Sequence, residues 1–322
     1  MHAVQVKEFG SSNVLEYLSL DIPSVSADEV LIKQEAIGVN FIDIYQRSGA
    51  YDVKLPFIPG SEGSGIVSEI GKNVTRFKIG DRVAYSMFPG GYAEYVTVSD
   101  RHVVSVPENI DFVTAAACLL QGMTAHYLVH STFKLQSGQS CLIHAGAGGV
   151  GLILIQMAKH IGAKVITTVS TEEKKQLALG AGADNVILYS EENFVEEVNK
   201  ITEGNGLEVV YDSVGEATFE DSINCLKPRR YMVLYGQSSG AVSPVDPQML
   251  NKKGSIFLTR PTLASYMLDR EELDWRSGEI FKWIERSQLQ IKIGLSLPLK
   301  EAARAHDELA GRKTTGKVIL IP

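Results

Sequence analysis

The spacing of hydrophobic residues divides the chain into regions with different predicted secondary structure. From residue 1 to about 121, short runs of β-forming residues are separated by Gly, Asp, Pro and Asn, which favour turns. These runs are HAVQV, EVLIKQEAIGV, GSGIVSEI, RVAYS and AEYVTV. Such closely spaced strands predict a compact, barrel-like β domain over residues 1–121.

From residue 122 to about 261, short apolar runs alternate with helical stretches. In chain order they are CLIHA, GVGLILIQMAKHIG, KVITTVS, KKQLALGAG, NVILY, NFVEEVNKITEG, LEVVYDSVG and YMVLYG. Buried strands that alternate with amphipathic helices indicate right-handed βαβ units on a parallel sheet. We therefore predict an α/β domain of the Rossmann type, with a doubly wound parallel sheet, over residues 122–261.

The last region, residues 262–322, contains two helical patterns and a closing strand. They are REELDWRSGEIFKWIERSQL, EAARAHDELAGRK and GKVILIP. The 322 residues are about twice the roughly 150 residues of a usual single domain, which favours two domains. We predict that residues 262–322 return to the first domain, so that the α/β domain is inserted between its two parts.

Composition and charge limit the class of partner. The chain has 31 basic and 38 acidic residues, for a net charge of −7, so it has no overall positive field to attract nucleic acid. Residues 1–10 lack the apolar region of a signal peptide, and the apolar run 150–158 is about half as long as a membrane span requires. Three widely separated cysteines without a CxxC spacing fit a reducing compartment. We expect a cytoplasmic protein without a membrane or nucleic-acid partner.

The strongest chemical signal is the segment HAGAGGVG, in which Gly146, Gly148 and Gly151 form the pattern GxGxxG. It follows an apolar run directly and precedes a helical pattern directly. A strand, a tight glycine turn and a helix in this order bring backbone N–H groups and a helix dipole close to the pyrophosphate of a dinucleotide. The alternative is a glycine-rich turn that binds nothing. We predict a cofactor site that contains Gly146, Gly148, Gly149, Val150 and Gly151.

The end of the second strand of this domain indicates which dinucleotide is bound. NAD sites place an acidic residue there to bind the ribose 2′-hydroxyl, whereas this chain has Ser170, followed by Lys174 and Lys175. A hydroxyl and a cation suit a 2′-phosphate, and Tyr189, which ends the third strand, is positioned to lie beside the adenosine. Glu172–Glu173 and Lys175 are attributed instead to the solvated first turn of a helix. We therefore predict NADPH, held by Ser170, Lys174 and Tyr189.

Further motifs, taken in order, resemble a known family. They are GVNFIDIYQRSG, PGSEGSGIVSEIG, GDRVAY, AAACLLQGMTAHYLV, HAGAGGVG, VYDSVG, LYGQSSG, LTRPTL and GKVILIP. Together they resemble the zinc-free quinone oxidoreductases related to ζ-crystallin, within the medium-chain dehydrogenase/reductase superfamily. The resemblance covers the whole chain, and it implies a GroES-like fold for the β domain.

The zinc-dependent members of this superfamily bind catalytic zinc through a Cys, a His and a second Cys. By motif alignment, Asn40, Ser61 and Gln121 occupy these places, and they make a poor zinc site. The cysteine-rich lobe that binds structural zinc is also missing. We expect no metal, and this suits reduction of an acceptor that is already electrophilic, such as a quinone or a carbonyl-conjugated alkene.

The resemblance also implies which residues surround the reaction. It places the segment that contains Asn40, Asp43 and Tyr45 beside the nicotinamide, and Tyr51 and Thr124 along the same cleft. An Asn amide and a Tyr hydroxyl can stabilise an oxygen that gains negative charge, and Tyr45 can supply a proton. The alternative is that Asn40 caps a helix beginning at Phe41 and Asp43 braces a loop; packing roles are equally open for Tyr51 and Thr124.

Several later residues are predicted from the resemblance alone. It implies that Tyr235, Ser238, Pro261 and Arg312 close around the cofactor, and that the strand over residues 256–260 pairs with its counterpart in a homodimer. The histidines are interpreted as surface or core residues rather than metal ligands, and His144 as a packed residue beside the glycine turn. A hydrolase triad is rejected because Ser64 and Ser213 lack the required elbow.

These observations predict an NADPH-dependent reductase of quinone-like acceptors that works without zinc. One alternative within catalysis is reduction of the double bond of an enone or alkenal, which requires a proton donor to carbon. The alternative from another class is a protein that binds NADPH without catalysis and associates with RNA or serves in the lens, as some relatives do. The acidic charge and the lack of a basic stretch weigh against nucleic acid.

Overall fold

The computed structural model describes residues 1–322, and they form two compact units. Unit 1 comprises residues 1–123 and 267–322, and unit 2 comprises residues 124–266. The sequence places the corresponding boundaries at 121/122 and 261/262, a few residues earlier in each case. Residues 122–123 therefore belong to unit 1, and residues 262–266 to unit 2.

Strands and helices follow in this order along the chain. The strands are β1 His2–Gln5, β2 Glu16–Ser19, β3 Glu29–Val39, β4 Glu62–Ile70, β5 Arg82–Ser86, β6 Tyr95–Ser99, β7 Val103–Ser105, β8 Ser140–Ile143, β9 Lys164–Val169, β10 Asn185–Leu188, β11 Leu207–Asp212, β12 Leu226–Leu234, β13 Phe257–Thr259, β14 Ile293–Pro298 and β15 Lys317–Ile321. The helices are α1 Phe41–Arg47, α2 Phe112–Tyr127, α3 Gly149–Ile161, α4 Glu172–Gly180, α5 Phe194–Ile201, α6 Phe219–Asn224, α7 Pro247–Lys252, α8 Arg270–Glu285 and α9 Ala302–Ala310.

Unit 1 is built on a seven-stranded sheet. Its strand order is β14-β15-β3-β4-β5-β7, and β6 pairs with β3. The closing strand β15 lies antiparallel to β3, with Val318 opposite Val39, so the last strand of the chain joins the sheet formed by β3 to β7. Alternating side chains such as Val30, Ile32 and Val67 are buried between the strands. The predicted β-rich, GroES-like architecture is confirmed.

Unit 2 contains a six-stranded sheet with the order β10-β9-β8-β11-β12-β13, in which every pair is parallel. This is the 3-2-1-4-5-6 order of a Rossmann fold, and the order reverses between β8 and β11. Apolar residues from strands and helices, including Leu142, Val210, Phe194 and Ile223, form one buried cluster. The predicted doubly wound sheet is therefore also confirmed.

The helical region that contains α2 is longer and more apolar than the sequence pattern indicates. Residues 112–132 are continuously helical, and by length and composition alone they could cross a membrane; the last turn, Leu128–Thr132, is a π-helix. However, 72% of the apolar window is buried inside the protein, as in the core helix of a globular protein. The sequence interpretation had taken residues 150–158 as the most apolar run, and it also left β2, β7, β14, α6 and α7 unassigned.

Candidate active site

The glycine turn connects β8 to α3 at the carboxyl edge of the parallel sheet. Ala145 has a left-handed backbone, with φ of +56°, and its carbonyl accepts a hydrogen bond of 2.9 Å from Gly148 N–H. A Cβ on Gly146 would collide with the Thr167 hydroxyl, and a Cβ on Gly151 would collide with the Ala145 carbonyl. The turn is therefore closely packed, and it leaves the first N–H groups of α3 at the open end of the helix. The residues that supply this surface are those predicted: Gly146, Gly148, Gly149, Val150 and Gly151.

The residues predicted to select NADPH meet at the ends of the two neighbouring strands. Lys174 Nζ lies 3.3 Å from Ser170 Oγ. The helix α4 begins after Thr171, whose hydroxyl accepts from Lys174 N–H, so the first turn directs Lys174 back towards Ser170. Tyr189 follows β10, donates its N–H to the Val169 carbonyl at 3.1 Å, and is 46% exposed. The structure thus brings Ser170, Lys174 and Tyr189 to one edge.

The turn after β12 carries the predicted residues Tyr235 and Ser238. Tyr235 N–H donates to the Asp212 carbonyl at 2.8 Å, and Ser238 N–H donates to the Ser213 carbonyl at 3.1 Å. Burial raises the pKa of the Tyr235 phenol above its usual range, although its hydrogen bond with Ser213 opposes this. Pro261 is buried just after β13. These residues belong to unit 2, whereas Arg312 belongs to unit 1, where it is exposed and follows α9 with φ of +57°.

The predicted acceptor residues of unit 1 lie on α1 and the loop that follows it. Tyr45 is half-buried; its ring centroid lies 6.0 Å from that of Phe41 and 5.2 Å from that of Tyr51. Tyr51 N–H donates to the Tyr45 carbonyl at 3.1 Å, which holds the loop against the helix. Tyr45 and Tyr51 therefore form one aromatic cluster with Phe41.

Asn40 and Asp43 begin the same helix, and both are buried. Asn40 N–H donates to Asp43 Oδ2 at 2.8 Å, so the side chain of Asp43 caps the start of α1. Asp43 also accepts from Ser61 Oγ and from Tyr92 OH, each at 3.1 Å. Burial nevertheless raises the pKa of Asp43 to about 7, while these hydrogen bonds and the nearby Lys317 oppose the rise. The structure therefore gives Asp43 the bracing role that the sequence analysis held as an alternative.

The side-chain amide of Asn40 is engaged at both ends. Its Nδ2 donates to Glu62 Oε1 at 2.8 Å, and its Oδ1 accepts from Lys317 Nζ at 2.8 Å. Glu62 and Lys317 form an ion pair, both are almost completely buried, and Glu62 also accepts from Leu120 N–H at 2.8 Å. Sequence reasoning missed this pair; the available signal was a charged residue at the start of each of two largely buried strands, EGSGIVSEI and KVILI.

A second missed group is a series of buried residues of unit 1 that runs from Asp43 to Arg47. Tyr92 OH lies 2.9 Å from His306 Nε2, and Arg47 Nη1 lies 3.3 Å from His306 Nδ1. Because a guanidinium can only donate, Nδ1 accepts, Nε2–H donates to Tyr92 and Tyr92 donates to Asp43. Burial lowers the pKa of His306 to about 3, so the imidazole is neutral near pH 7. Arg47 thereby fixes the direction of each hydrogen bond in the series that runs through His306 and Tyr92 to Asp43.

The positions that the sequence analysis aligned with zinc ligands carry amide and hydroxyl side chains. Ser61 donates to Asp43, Asn40 is paired as described, and Gln121 Oε1 is buried without a hydrogen-bond partner. The three cysteines are free and buried, and burial raises the pKa of Cys141 to about 12. Neither set offers the thiolates and imidazoles that zinc prefers.

The helical region after residue 112 carries Thr124 and two neighbouring histidines. Thr124 is buried on α2 and is the first residue of unit 2. His126 and His130 have ring centroids 4.5 Å apart. Their spacing of four residues is visible in the sequence HYLVH, and the sequence analysis overlooked it.

Comparison with known proteins places these features in a family. Residues 26–108 match the family described as alcohol dehydrogenase GroES-like domain, and residues 149–274 match the family described as zinc-binding dehydrogenase. A quinone oxidoreductase of Pseudomonas aeruginosa is 46% identical over 321 residues, which cover 99% of both chains. The chain belongs to the quinone oxidoreductases of the medium-chain dehydrogenase/reductase superfamily.

Two further relatives bear on cofactor and acceptor. The solved structure of an Escherichia coli quinone oxidoreductase in complex with NADPH is 42% identical, has a TM-score of 0.98, and covers 100% of both chains. A 2-haloacrylate reductase of Burkholderia is 39% identical, over 100% of this chain and 99% of that protein. One matched family is described as zinc-binding dehydrogenase, whereas this chain has Asn40, Ser61 and Gln121 at the positions that the sequence analysis aligned with zinc ligands.

Proposed function

We propose that this protein is an NADPH-dependent quinone oxidoreductase that transfers a hydride without zinc. The main support is that a closely packed glycine turn and the pair Ser170–Lys174 lie at the same edge of a Rossmann sheet. In this pair, Lys174 Nζ is 3.3 Å from Ser170 Oγ. This arrangement is supported by the family and by the NADPH complex of the relative from E. coli. An acidic residue in place of Ser170 would favour NADH instead.

The cofactor fits the described residues of unit 2. The glycine turn and the first N–H groups of α3 would hold the pyrophosphate, and a Cβ at Gly146 or Gly151 would fill the cradle. Ser170 and Lys174 would bind the 2′-phosphate, with Tyr189 beside the adenosine. Tyr235, Ser238, Pro261 and Arg312 are the further contacts that we propose. Bound NADPH supplies the hydride, and the protein orients it and excludes water.

We propose that the acceptor meets Tyr45 and Tyr51, with Thr124 as a further contact. A quinone that gains a hydride becomes a hydroquinone anion, which requires one proton to complete the reaction. The phenol of Tyr45 can donate a hydrogen bond to the oxygen that gains charge, and then its proton, which solvent replaces. Asn40 and Asp43 are assigned to holding α1, because their side chains are paired with Glu62, Lys317, Ser61 and Tyr92.

The wider properties of the protein are proposed on the same basis. We propose that unit 1, residues 1–123 and 267–322, is a split GroES-like domain that carries Tyr45 and Tyr51, and that unit 2, residues 124–266, is the inserted Rossmann domain. We also propose a cytoplasmic homodimer without a nucleic-acid or membrane partner. The net charge of −7 supports the absence of nucleic acid.

Oxidation of NADPH in the presence of different acceptors tests the function. After dialysis against a chelator, we expect turnover with a small benzoquinone at least about ten times faster than with a conjugated enal, because carbon protonation needs a better-placed donor than the quinone oxygen needs. Faster turnover of the enal would instead establish an alkene reductase, which the 2-haloacrylate reductase relative represents. Binding of NADPH without oxidation by either acceptor would favour the non-catalytic alternative. Loss of turnover on dialysis, restored by zinc, would contradict the zinc-free mechanism.

A further inference from the structure

The imidazole of His144 joins three segments at the carboxyl edge of the parallel sheet. His144 directly precedes the glycine turn, and its ring is 1% exposed. Its Nδ1 lies 2.8 Å from Thr168 Oγ1, near the end of β9, and its Nε2 lies 2.9 Å from Ser222 Oγ on α6. The sequence analysis interpreted His144 as a packed residue, but both of its ring nitrogens are hydrogen-bonded.

The direction of these hydrogen bonds is fixed from one end by Asp212. Its Oδ2 accepts from Thr218 Oγ1 at 2.7 Å and from Ser222 Oγ at 3.0 Å. Because Ser222 has a single proton and donates it to Asp212, its oxygen accepts from His144 Nε2–H. His144 Nδ1 then accepts the hydroxyl proton of Thr168. These hydrogen bonds place a proton on Nε2, and in the neutral imidazole Nδ1 is then the acceptor.

The environment of His144 maintains this neutral form. Burial lowers the pKa of the imidazole, although the charge of Asp212 opposes the effect. The ring also packs edge-on against Phe194, with centroids 5.0 Å apart and an interplanar angle of 84°. A neutral ring held by two hydrogen bonds and one aromatic contact has a single orientation.

The series of hydrogen bonds through His144 ends at Thr168 and Asp212, and each of these residues is hydrogen-bonded to a segment that we propose to bind the cofactor. At one end, the Thr168 carbonyl accepts from Gly146 N–H at 3.1 Å, and Ser170 is two residues further along. At the other end, Asp212 Oδ1 accepts from the N–H groups of Val214 and Gly215 at 2.7 and 3.0 Å. The Asp212 carbonyl in turn accepts from Tyr235 N–H. His144 thus connects the segment beside the 2′-phosphate with the turns near Tyr235.

We propose that His144 is a positioning residue for NADPH, which keeps these segments in one arrangement before the cofactor binds. It does not touch the reacting atoms. The proposal rests on the NADPH binding in the proposed function, but not on the identity of the acceptor. It differs from a purely structural role because its loss weakens the binding of NADPH in a protein that remains folded.

Equilibrium titration of the purified protein with NADPH tests the proposal. In His144→Phe, which keeps an aromatic ring but removes both hydrogen bonds, we expect the Kd for NADPH to rise roughly ten-fold or more. Thr168→Val removes the hydrogen bond at Nδ1, and Ser222→Ala removes both the bond at Nε2 and the bond from Ser222 to Asp212; for each variant we expect a smaller increase in Kd than for His144→Phe. Because both links act through the same ring, the effects in the double variant should be less than additive. Thr202→Val is the matched control, because the Thr202 hydroxyl donates to the Val198 carbonyl at 2.8 Å, at the end of α5. We expect this variant to bind NADPH with the Kd of the wild type.

The outcomes separate this proposal from the proposed function. A wild-type protein that does not bind NADPH would overturn the cofactor assignment itself. If the wild type binds NADPH but Thr168→Val, Ser222→Ala and folded His144→Phe bind it equally well, His144 has a structural role only. Additive effects in the double variant would also contradict a connection through the imidazole. Should His144→Phe fail to fold, the Thr168 and Ser222 variants and their combination still decide the question.

Discussion

Asp43 is a buried carboxylate that the fold holds with hydrogen bonds from three donors and without a directly bonded cation. A carboxylate three residues after Asn40 can either cap the start of a helix or contact the substrate, and the sequence alone leaves both roles open. The partners that decide it come from distant parts of the chain, since Tyr92 is 49 residues away. The same holds for Glu62 and Lys317, which are 255 residues apart. Sequence patterns therefore identify such residues as unusual, but only tertiary packing defines their partners.

The raised pKa of Asp43 predicts how stability depends on pH. A carboxyl group with a pKa of about 7 in the folded state and 3.8 as its ordinary value binds its proton more tightly when folded. Its contribution to the free energy of unfolding is therefore greatest below pH 4 and is lost as the pH rises to about 7. Relative to Asp43→Asn, the wild type should lose up to about 4 kcal/mol over this range. Urea unfolding of both proteins at pH 4, 5.5, 7 and 8 measures the difference.

The comparison with Asp43→Asn also removes the contribution of His306. The lowered pKa of His306 makes the folded protein lose stability as the pH falls below 6.5 towards 3. This loss occurs in both proteins, so their difference removes the part that does not depend on the link through Tyr92 between His306 and Asp43. Stability curves that run parallel between pH 4 and 8 would show that Asp43 has an ordinary pKa in the folded state.

At the scale of elements, the β9–α4 connection shows what a sequence pattern predicts well. Strand and helix follow from local signals, the β-branched run KVITTV and the acidic first turn. The cap is Thr171, one residue after the Ser170 at which the capping-box pattern STEE begins. Ser170 and Lys174, four residues apart, then meet because a helix that begins at Glu172 places Lys174 in its first turn. Short elements such as β7 and α7 lack a full period of hydrophobic residues, and for that reason they could not be predicted.

The charge of Lys174 is expected to discriminate between the two dinucleotides. In Lys174→Glu, a carboxylate would face the 2′-phosphate, so the Kd for NADPH should rise about 10- to 100-fold, while that for NADH should change by less than about two-fold. Titration of the variant with both cofactors measures the ratio. Lys175→Glu is the matched control, because Lys175 lies 3.9 Å from Glu172 in the same turn and should leave the ratio intact. Equal losses for NADPH and NADH in Lys174→Glu would refute the assigned role.

At the scale of the whole molecule, the order of motifs predicts the family and both folds. It does so because glycine turns, apolar strands and the sequence GKVILIP occur in an order that few folds share. The family resemblance also implies that β13, the last strand of the parallel sheet, pairs with the same strand of a second copy of the protein. Phe257 on this strand is 52% exposed and stacks on Tyr231, with ring centroids 4.8 Å apart. An open strand edge beside an exposed aromatic residue favours association with a second copy.

Light scattering of the protein at micromolar concentration tests the proposed homodimer. We expect a species with twice the chain mass of 35.1 kDa. Phe257→Lys should shift the population towards the monomer, because a charged side chain beside the edge opposes strand pairing between copies. Ile79→Lys is a suitable control, since Ile79 is 65% exposed on a loop of unit 1 and should leave the dimer intact. A wild-type protein of monomer mass would exclude the dimer, and a Phe257→Lys variant that remains dimeric would place the interface elsewhere.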